Sequence, residues 1–302
     1  MSVVVVAPGQ GSQTPGFLEP WLAEPRFAEH LGALADASGV DLVRHGTVSD
    51  ADTIRDTAVA QPLIVAAALL AFGALAEKRD RLAGVAGHSV GEFAAAAAAG
   101  ILSEADAMKL VRARGDAMAE AASLVGTGMS AVIGGDENEL IVLLNTLDLY
   151  PANYNGGGQL VVAGDLAALQ QLAENPPAGA RVIPLQVAGA FHTRYMLPAV
   201  ENLQVVAGTV TAHDPATTIW TNKDGSTVSS GPAYLELLIG QVANPVRWDL
   251  CMAAFEKAGV TGLGELAPAG ALVGLAKRGL KGLPTVAVKT PDDLPAALEL
   301  IG

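Results

Sequence analysis

The sequence is short of cysteine and of positive charge, and each shortage excludes a class of protein. Its single cysteine, Cys251, excludes an internal disulfide framework and a cysteine-built metal cluster, and it fits a reducing compartment. Lysine and arginine total 18 against 31 aspartate and glutamate residues, which gives a net charge of -13. A general nucleic-acid binder needs a basic surface and is therefore excluded, although local basic patches are compatible with this composition.

Apolar runs long enough for a membrane or a signal peptide are also missing. The N-terminal run has no basic region before it and is stopped by Pro8, so it is predicted to be a buried first strand. The longest run, Leu63 to Ala76, is shorter than the ~20 residues that span a bilayer and is predicted to be a buried helix. The sequence contains no heptads, repeats or low-complexity tracts. These features predict a cytoplasmic protein without membrane association.

What the sequence does contain is a large apolar fraction. Of its 302 residues, 51% are hydrophobic and 16% are charged, which predicts a compact globular protein of one to three domains. Strands alternate with helices from Val3 to Ala122 and again after Phe191. This alternation predicts an α/β fold with a mainly parallel sheet.

One short segment stands out within this pattern, Gly87-His88-Ser89-Val90-Gly91. An apolar run precedes it and an alanine-rich run follows, which predicts a strand, a sharp turn and a helix. Such a turn exposes the serine hydroxyl beside backbone N–H groups of the helix, and we expect the flanking glycines to permit its strained dihedrals. The segment suits a nucleophile, but short Gly/Ser turns also join strands to helices without any chemistry.

A different pattern occupies residues 127–191. Strands and helices follow each other there in the order β-α-β-β-α-β, which is typical of the split, ferredoxin-like unit. We therefore predict a ferredoxin-like small domain at 127–191, inserted between the two halves, 1–126 and 192–302, of the catalytic α/β domain. In the second half we predict, among other elements, a strand over Thr218–Thr221 and a helix over Val246–Ala258.

A serine nucleophile needs a base, and the chain offers five histidines. His30, His45 and His213 lie on segments with the character of solvated helix or surface turn. His88 adjoins the serine, but neighbouring side chains of a strand point to opposite faces. His192 lies where the predicted small domain rejoins the large one, a favoured position for sites. From spacing alone, a catalytic base and a buried, hydrogen-bonded histidine are both open for His192.

A third member of a catalytic triad is not evident. The usual α/β-hydrolase order places an acid between serine and histidine, and no motif selects one of the many acids there. A backbone carbonyl can orient an imidazole instead of a carboxylate.

Six motifs in a fixed order carry a resemblance that covers essentially the whole chain. They are Gly9-Gln10-Gly11-Ser12-Gln13, Gly87-His88-Ser89-Val90-Gly91-Glu92, Arg114-Gly115-Asp116-Ala117-Met118, Asn153-Tyr154-Asn155 with Gly158-Gln159, Phe191-His192-Thr193, and Gln241-Val242-Ala243-Asn244-Pro245-Val246-Arg247-Trp248. Together they resemble the malonyl-CoA:acyl carrier protein transacylases, the stand-alone acyltransferases of bacterial fatty acid and polyketide synthesis. The resemblance implies an α/β-hydrolase-like large domain with a ferredoxin-like small domain.

The same resemblance implies roles for individual residues. Ser89 would be the nucleophile and His192 the base, oriented by the main-chain carbonyl of Gln241, which explains the missing acid. Backbone N–H groups of Gln10 and Val90 would form the oxyanion hole.

Two further residues would recognise the acyl group. Arg114 would hold the malonyl carboxylate, since its guanidinium fork matches a carboxylate bidentately. Its alternative is a solvated charge on the helix 103–122, as expected for Arg112. Phe191 resembles the bulky residue of malonyl-selective members, although an apolar pocket rejects an added methyl group by only ~1–3 kcal/mol. The roles of Asn155 and Gln159 are left open.

The implied reaction needs no metal and no bound organic cofactor, because the CoA thioester is a substrate and the phosphopantetheine belongs to the partner protein. The expected partners are malonyl-CoA and holo acyl carrier protein, and we expect a monomer. A basic docking patch for the acidic carrier protein is predicted at Arg194, Lys277, Arg278 and Lys281. Alternatives are a trans-acting polyketide synthase acyltransferase, a thioester hydrolase on the same scaffold, and an inactive scaffold, which would have lost Ser89, His192 or Arg114.

Overall fold

The computed structural model describes residues 2–302. Within them, nine strands form two sheets, one of four strands and one of five. The strands are β1 (Val3–Ala7), β2 (Leu82–Gly87), β3 (Thr127–Gly134), β4 (Tyr150–Gly156), β5 (Gln159–Asp165), β6 (Ala180–Pro184), β7 (Val246–Arg247), β8 (Gly262–Glu265) and β9 (Thr285–Ala287).

Thirteen α-helices accompany the strands in the described residues. They are α1 (Glu19–Leu22), α2 (Pro25–Ser38), α3 (Leu42–Thr47), α4 (Thr57–Ala74), α5 (Gly91–Ala98), α6 (Glu104–Leu124), α7 (Glu137–Thr146), α8 (Leu166–Glu174), α9 (Leu197–Ala207), α10 (Gly231–Gln241), α11 (Trp248–Lys257), α12 (Ala271–Gly279) and α13 (Leu294–Ile301).

The four-stranded sheet is parallel throughout, with the order β2-β1-β8-β9. Every residue of β1 is buried, because helices cover both faces of such a sheet and its central strands must be apolar. Ala7 pairs with Gly87, so β1 and β2 end side by side. The loops that follow them are thereby brought to the same edge of the sheet.

Helix α4 is the most apolar element. Within residues 2–302 it is the one helix that meets the length and composition required to cross a membrane, yet 78% of its 18 residues are buried inside the protein. It packs against α5 and α6. An α-helix enclosed by neighbours is apolar on all sides, so this packing accounts for its composition. The predicted buried helix is confirmed, with its start at Thr57.

The second sheet has the order β6-β3-β5-β4-β7 and is antiparallel except between β4 and β7. Its first four strands have the strand order and connections of the split ferredoxin-like unit, which confirms the predicted fold class. Strand β7 comes from outside 127–191 and pairs with Asn153 and Tyr154 of β4. The domain boundaries themselves stay a prediction.

Two predicted elements differ from the structure. Residues 218–221 form no regular strand: Ile219 makes an isolated bridge to Val85 of β2, and the chain then turns back so that Trp220 bridges Thr227. The helix predicted from Val246 begins at Trp248, because Val246 and Arg247 are taken up by the second sheet. Helices α9 and α13 were not predicted, although each has a proline in its first turn, a position that favours a helix start.

Candidate active site

The turn between β2 and α5 holds Ser89 in a conformation rare for a residue with a side chain. Its φ is +54°, in the left-handed region. The flanking glycines have no positive φ, so the expectation that they supply the strained dihedrals is wrong. They are required for close approach instead: a Cβ on Gly87 would lie 2.1 Å from the Gly91 carbonyl carbon, and one on Gly91 would lie 2.2 Å from the Ala7 oxygen. The strain therefore falls on the serine itself.

The structure brings His192 to Ser89 across 103 residues of sequence. The Ser89 Oγ lies 2.7 Å from the His192 Nε2, and the His192 Nδ1 lies 2.9 Å from the main-chain oxygen of Gln241. A carbonyl oxygen only accepts, so the Nδ1 carries the proton and the Nε2 presents its lone pair to the serine hydroxyl. His192 also has a positive φ, +61°.

Burial and nearby positive charge keep this imidazole neutral. His192 is buried, and desolvation followed by the charge of Arg114 lowers the pKa of its side chain to about 3. The imidazole is therefore unprotonated at neutral pH and is able to accept a proton from Ser89.

Arg114 reaches the same site from α6 and is only 1% exposed. Its Nη1 donates to the Gln61 Oε1 (2.6 Å), and its Nη2 donates to the Gln241 Oε1 (2.9 Å) and lies 3.4 Å from the Ser89 Oγ. The buried Nε finds no hydrogen-bond partner in residues 2–302. Desolvation lowers the pKa of Arg114 to about 9, against the opposing effect of Glu92, so the guanidinium stays positive at neutral pH. An unpaired donor on a buried cation is suited to an anionic ligand.

A cavity of about 470 Å³ unites these groups. Ser89, His192 and Arg114 all contribute to its lining, and so do Gln10 and Val90. The N–H groups of Gln10 and Val90 donate to no other described residue. Phe191 lines the cavity as well. The predicted catalytic and acyl-binding side chains, together with both predicted oxyanion-hole residues, thus share one cavity.

Three of the other histidines have hydrogen-bond partners of their own. The His88 Nε2 lies 2.9 Å from the Asn155 Oδ1, whose amide nitrogen donates to the Gln159 Oε1 (3.1 Å). This chain of contacts joins the Ser89 turn to β4 and β5 of the second sheet. His30 pairs with Glu104 (2.6 Å), and His45 lies 3.0 Å from the Ser49 hydroxyl.

Four residues of the site were not identified from the sequence. Besides Gln61, they are Glu92, Asn222 and Tyr234, all of them buried. Asn222 accepts the Ser89 N–H at its Oδ1 (2.7 Å) and donates to the Gly87 oxygen (2.7 Å). Glu92 was visible as the acidic residue after the serine motif, whereas the others stand in no motif that could have revealed them.

Fold and cavity together define an α/β enzyme with a serine–histidine pair and a buried arginine. The acyl transferase domain family matches residues 4–287. The malonyl CoA-acyl carrier protein transacylase of Mycobacterium tuberculosis is 51% identical over 296 residues, which cover 97% of this chain and 98% of the relative. A crystal structure of the transacylase from that organism matches with a TM-score of 0.95 and 49% identity over 100% of both chains.

A second similar structure shows a type II polyketide synthase acyl-carrier protein in complex with its malonyl-transacylase. It matches with a TM-score of 0.94 and 31% identity over 99% of each chain. This chain belongs to the acyl transferase domain family, and within it to the malonyl-CoA:acyl carrier protein transacylases. It is an acyltransferase.

Proposed function

We propose that the protein moves a malonyl group from malonyl-CoA to the phosphopantetheine thiol of holo acyl carrier protein, through a malonyl ester on Ser89. The 2.7 Å contact between the Ser89 Oγ and the neutral His192, in one cavity with Arg114, is the observation that carries this proposal. The route requires no metal and no bound organic cofactor.

In the first half-reaction the His192 Nε2 takes the proton of the Ser89 hydroxyl, and the Oγ attacks the thioester carbonyl. The N–H groups of Gln10 and Val90 stabilise the negative oxygen of the tetrahedral intermediate. The carbon–sulfur bond then breaks, and the protonated His192 returns its proton to the CoA thiolate. The products are the Ser89 ester and free CoA.

The second half-reaction runs these steps in the opposite sense. His192 takes the proton of the pantetheine thiol, the sulfur attacks the ester carbonyl, and the bond to the Ser89 Oγ breaks. The proton on His192 passes to the leaving Oγ. The enzyme returns to its starting state, and the carrier protein holds the malonyl thioester.

Arg114 is proposed to anchor the malonyl carboxylate. Its Nε is an unused donor, and the hydrogen-bond partners of its guanidinium are two neutral amides and the serine hydroxyl, none of which carries a negative charge. A carboxylate would supply both the missing acceptor and a counter-charge, whereas an acetyl group would supply neither. Phe191 limits the space beside this anchor and favours malonyl over methylmalonyl.

The nucleophile is tested by following labelled malonyl-CoA. We expect one malonyl group on the wild-type protein, none on Ser89→Ala, and passage of the label to holo carrier protein when it is added. Label that stays on the alanine variant or maps to Cys251 would refute the assignment of Ser89. Rapid release as free malonate without carrier protein would instead favour a thioester hydrolase. Carrier proteins from fatty acid and polyketide synthesis, compared side by side, distinguish the two pathways.

A further inference from the structure

We propose that Glu92, the second residue of α5, is a positioning residue for this reaction, because its carboxylate accepts hydrogen bonds from the two residues whose side chains fix the backbone of Ser89 on both sides. The proposal rests on the role of Ser89 as nucleophile given above. Glu92 is 1% exposed and does not line the cavity that contains Ser89, so it acts through its neighbours.

The backbone of Ser89 is held by side chains at both of its peptide groups. The Ser89 N–H donates to the Asn222 Oδ1 (2.7 Å), and the Gln241 Nε2 donates to the Ser89 oxygen (2.9 Å). A left-handed conformation is strained for a residue with a Cβ, so it persists only where the surroundings enforce it. These two bonds are the side-chain contacts that enforce it here.

Glu92 in turn holds both of these residues, Asn222 by its main-chain N–H and Gln241 by its side-chain amide. The Asn222 N–H donates to the Glu92 Oε1 (2.8 Å), and the Gln241 Nε2 donates to the Glu92 Oε2. The Tyr234 hydroxyl donates to the Oε1 as well (3.2 Å). One carboxylate therefore connects the two clamps of the nucleophile turn, which come from segments 130 and 149 residues away.

The directions of these hydrogen bonds require a carboxylate at position 92. Arg114 donates to the Gln241 Oε1, which forces the Gln241 amide nitrogen toward Ser89 and Glu92. Each oxygen of the Glu92 carboxylate accepts from an N–H group, of Asn222 at the Oε1 and of Gln241 at the Oε2, so an amide in its place would set one N–H against another. Turning the Gln241 amide to relieve that clash would set its nitrogen against Arg114.

Charge gives Glu92 a second link to the site. It is coupled to Arg114 electrostatically, and Tyr234 and Cys251 are the other titratable groups that face it. Burial raises the pKa of Glu92 to about 7, against the lowering effects of Asn222, Gln241, Tyr234 and Arg114. Removing the carboxylate would disturb the Ser89 turn, but it would also take away the negative charge that partly compensates Arg114, so a malonyl carboxylate would meet less competition for that guanidinium. We therefore expect lower reactivity of Ser89 without weaker binding of malonyl-CoA.

The test compares Glu92→Gln with Glu265→Gln at pH 8. Glu265 is a matched control, since it too is a buried carboxylate that accepts three hydrogen bonds, here from the backbone of Gly270, Leu272 and Val273. The readouts are single-turnover malonylation of Ser89 and modification of Ser89 by phenylmethanesulfonyl fluoride, a neutral probe that makes no use of Arg114. Both rates are expressed per folded molecule.

We expect Glu92→Gln to lower both rates tenfold or more without raising the KM for malonyl-CoA, while Glu265→Gln stays within about twofold of the wild type. Glu92→Asp keeps the charge but is one methylene shorter, so it should fall between Glu92→Gln and the wild type, and it carries the test if Glu92→Gln does not fold. Normal Ser89 reactivity in the folded variants, or an equal loss in Glu265→Gln, would overturn the proposal. Failure of the wild type to form a malonyl adduct would overturn the proposed function instead.

Discussion

The two walls of the cavity make different contributions to the site. The wall built on the parallel sheet carries the reactive groups, Ser89 and Arg114 among them, and links them by hydrogen bonds that run from Gln61 to Asn222. The wall built on the antiparallel sheet lines the cavity with apolar and uncharged polar side chains, from Met129, Ala131, Asn153, Asn155, Gln159 and Val161. Its polar link to the nucleophile turn is the pair His88–Asn155.

The difference shows how one site can combine precision with room for a substrate. Reactive atoms need fixed positions, and the parallel sheet supplies them from strand ends that are buried and in register. The antiparallel sheet closes the cavity and shapes it without competing for the reactive protons. We therefore expect substitutions in the first wall to affect chemistry and those in the second to affect stability and fit.

Arg114→Ala should give the largest effect. Charge-assisted hydrogen bonds are worth about 1.5–3 kcal/mol, so loss of the bidentate pairing should lower malonyl transfer by roughly two orders of magnitude. The variant should accept acetyl-CoA comparatively better, and Arg114→Lys should rescue it poorly, because lysine lacks the fork. The measurement is kcat/KM for malonyl-CoA and acetyl-CoA.

Arg112→Ala is the matched control on the same helix. Arg112 is 40% exposed and pairs with Asp116 (2.6 Å), so its removal should leave transfer close to that of the wild type. If Arg114→Ala kept its preference for malonyl over acetyl, another residue would have to hold the carboxylate.

The pH dependence of stability should separate Glu92 from His192. The folded pKa of Glu92, about 7, lies above its ordinary 4.5, so its contribution to stability is present below pH 4.5 and is lost as pH rises toward 7. The folded pKa of His192, about 3, lies below 6.5, so its contribution is present above pH 6.5 and is lost as pH falls toward 3. Between pH 4.5 and 6.5 the two slopes oppose each other, each up to about 1.4 kcal/mol per pH unit.

Glu92→Gln should expose the slope of His192. From pH 4.5 to 6.5 we expect the variant's free energy of unfolding to rise more steeply than that of the wild type, by up to about 1.4 kcal/mol per pH unit. Urea denaturation at a series of pH values measures this. Parallel curves for the two proteins would show that Glu92 does not titrate in this range.

Asn155→Ala tests the second wall. It leaves the half-buried His88 without its acceptor, which should lower the free energy of unfolding by about 1–3 kcal/mol. Malonyl transfer should fall far less than in Arg114→Ala, and Gln159→Ala, which only removes the partner of Asn155, should cost less stability. If Asn155→Ala lost as much malonyl transfer as Arg114→Ala, the two walls would not differ in their contribution to the chemistry.

Charge reversal in the predicted docking patch should give the smallest effect, a several-fold rise in the KM for carrier protein. The structure separates its members: Arg278 lines the active-site cavity, Arg194 is paired with Asp148 (2.7 Å), and Lys281 lines a different cavity. Arg278→Glu should therefore raise this KM with little change in self-acylation, and Lys281→Glu serves as its control. An unchanged KM in Arg278→Glu would remove Arg278 from the docking surface.

The parts of the structure that depend on residues close together in the sequence could be predicted. Buried apolar runs and turn residues determine β1, β2 and the turn at Ser89, and the β-α-β-β-α-β order was visible between residues 127 and 191. Residues 218–221 were predicted wrongly, since four consecutive β-branched and aromatic residues favour extended backbone without showing whether a hairpin or a sheet will contain it.

The network behind the nucleophile could not be predicted in this way. Gln61 contacts Arg114 across 53 residues, and Asn222 contacts Ser89 across 133. Each is one amide among many in the sequence, and only tertiary packing selects it. The strained conformation of Ser89 could not be predicted for the same reason, because the close approach at Gly87 and Gly91 is a property of the packed turn.

The pairing of β7 with β4 has a consequence for dividing the protein into pieces. A fragment made of residues 127–191 alone would lose β7 and expose the outer edge of β4, and the opposite edge, β6, carries no further strand in the described sheet. Unpaired edges recruit strands from other molecules. An excised small domain would thus aggregate through its two exposed edge strands. A version that carried a covalently attached copy of 244–248 would have a strand to cover the edge of β4.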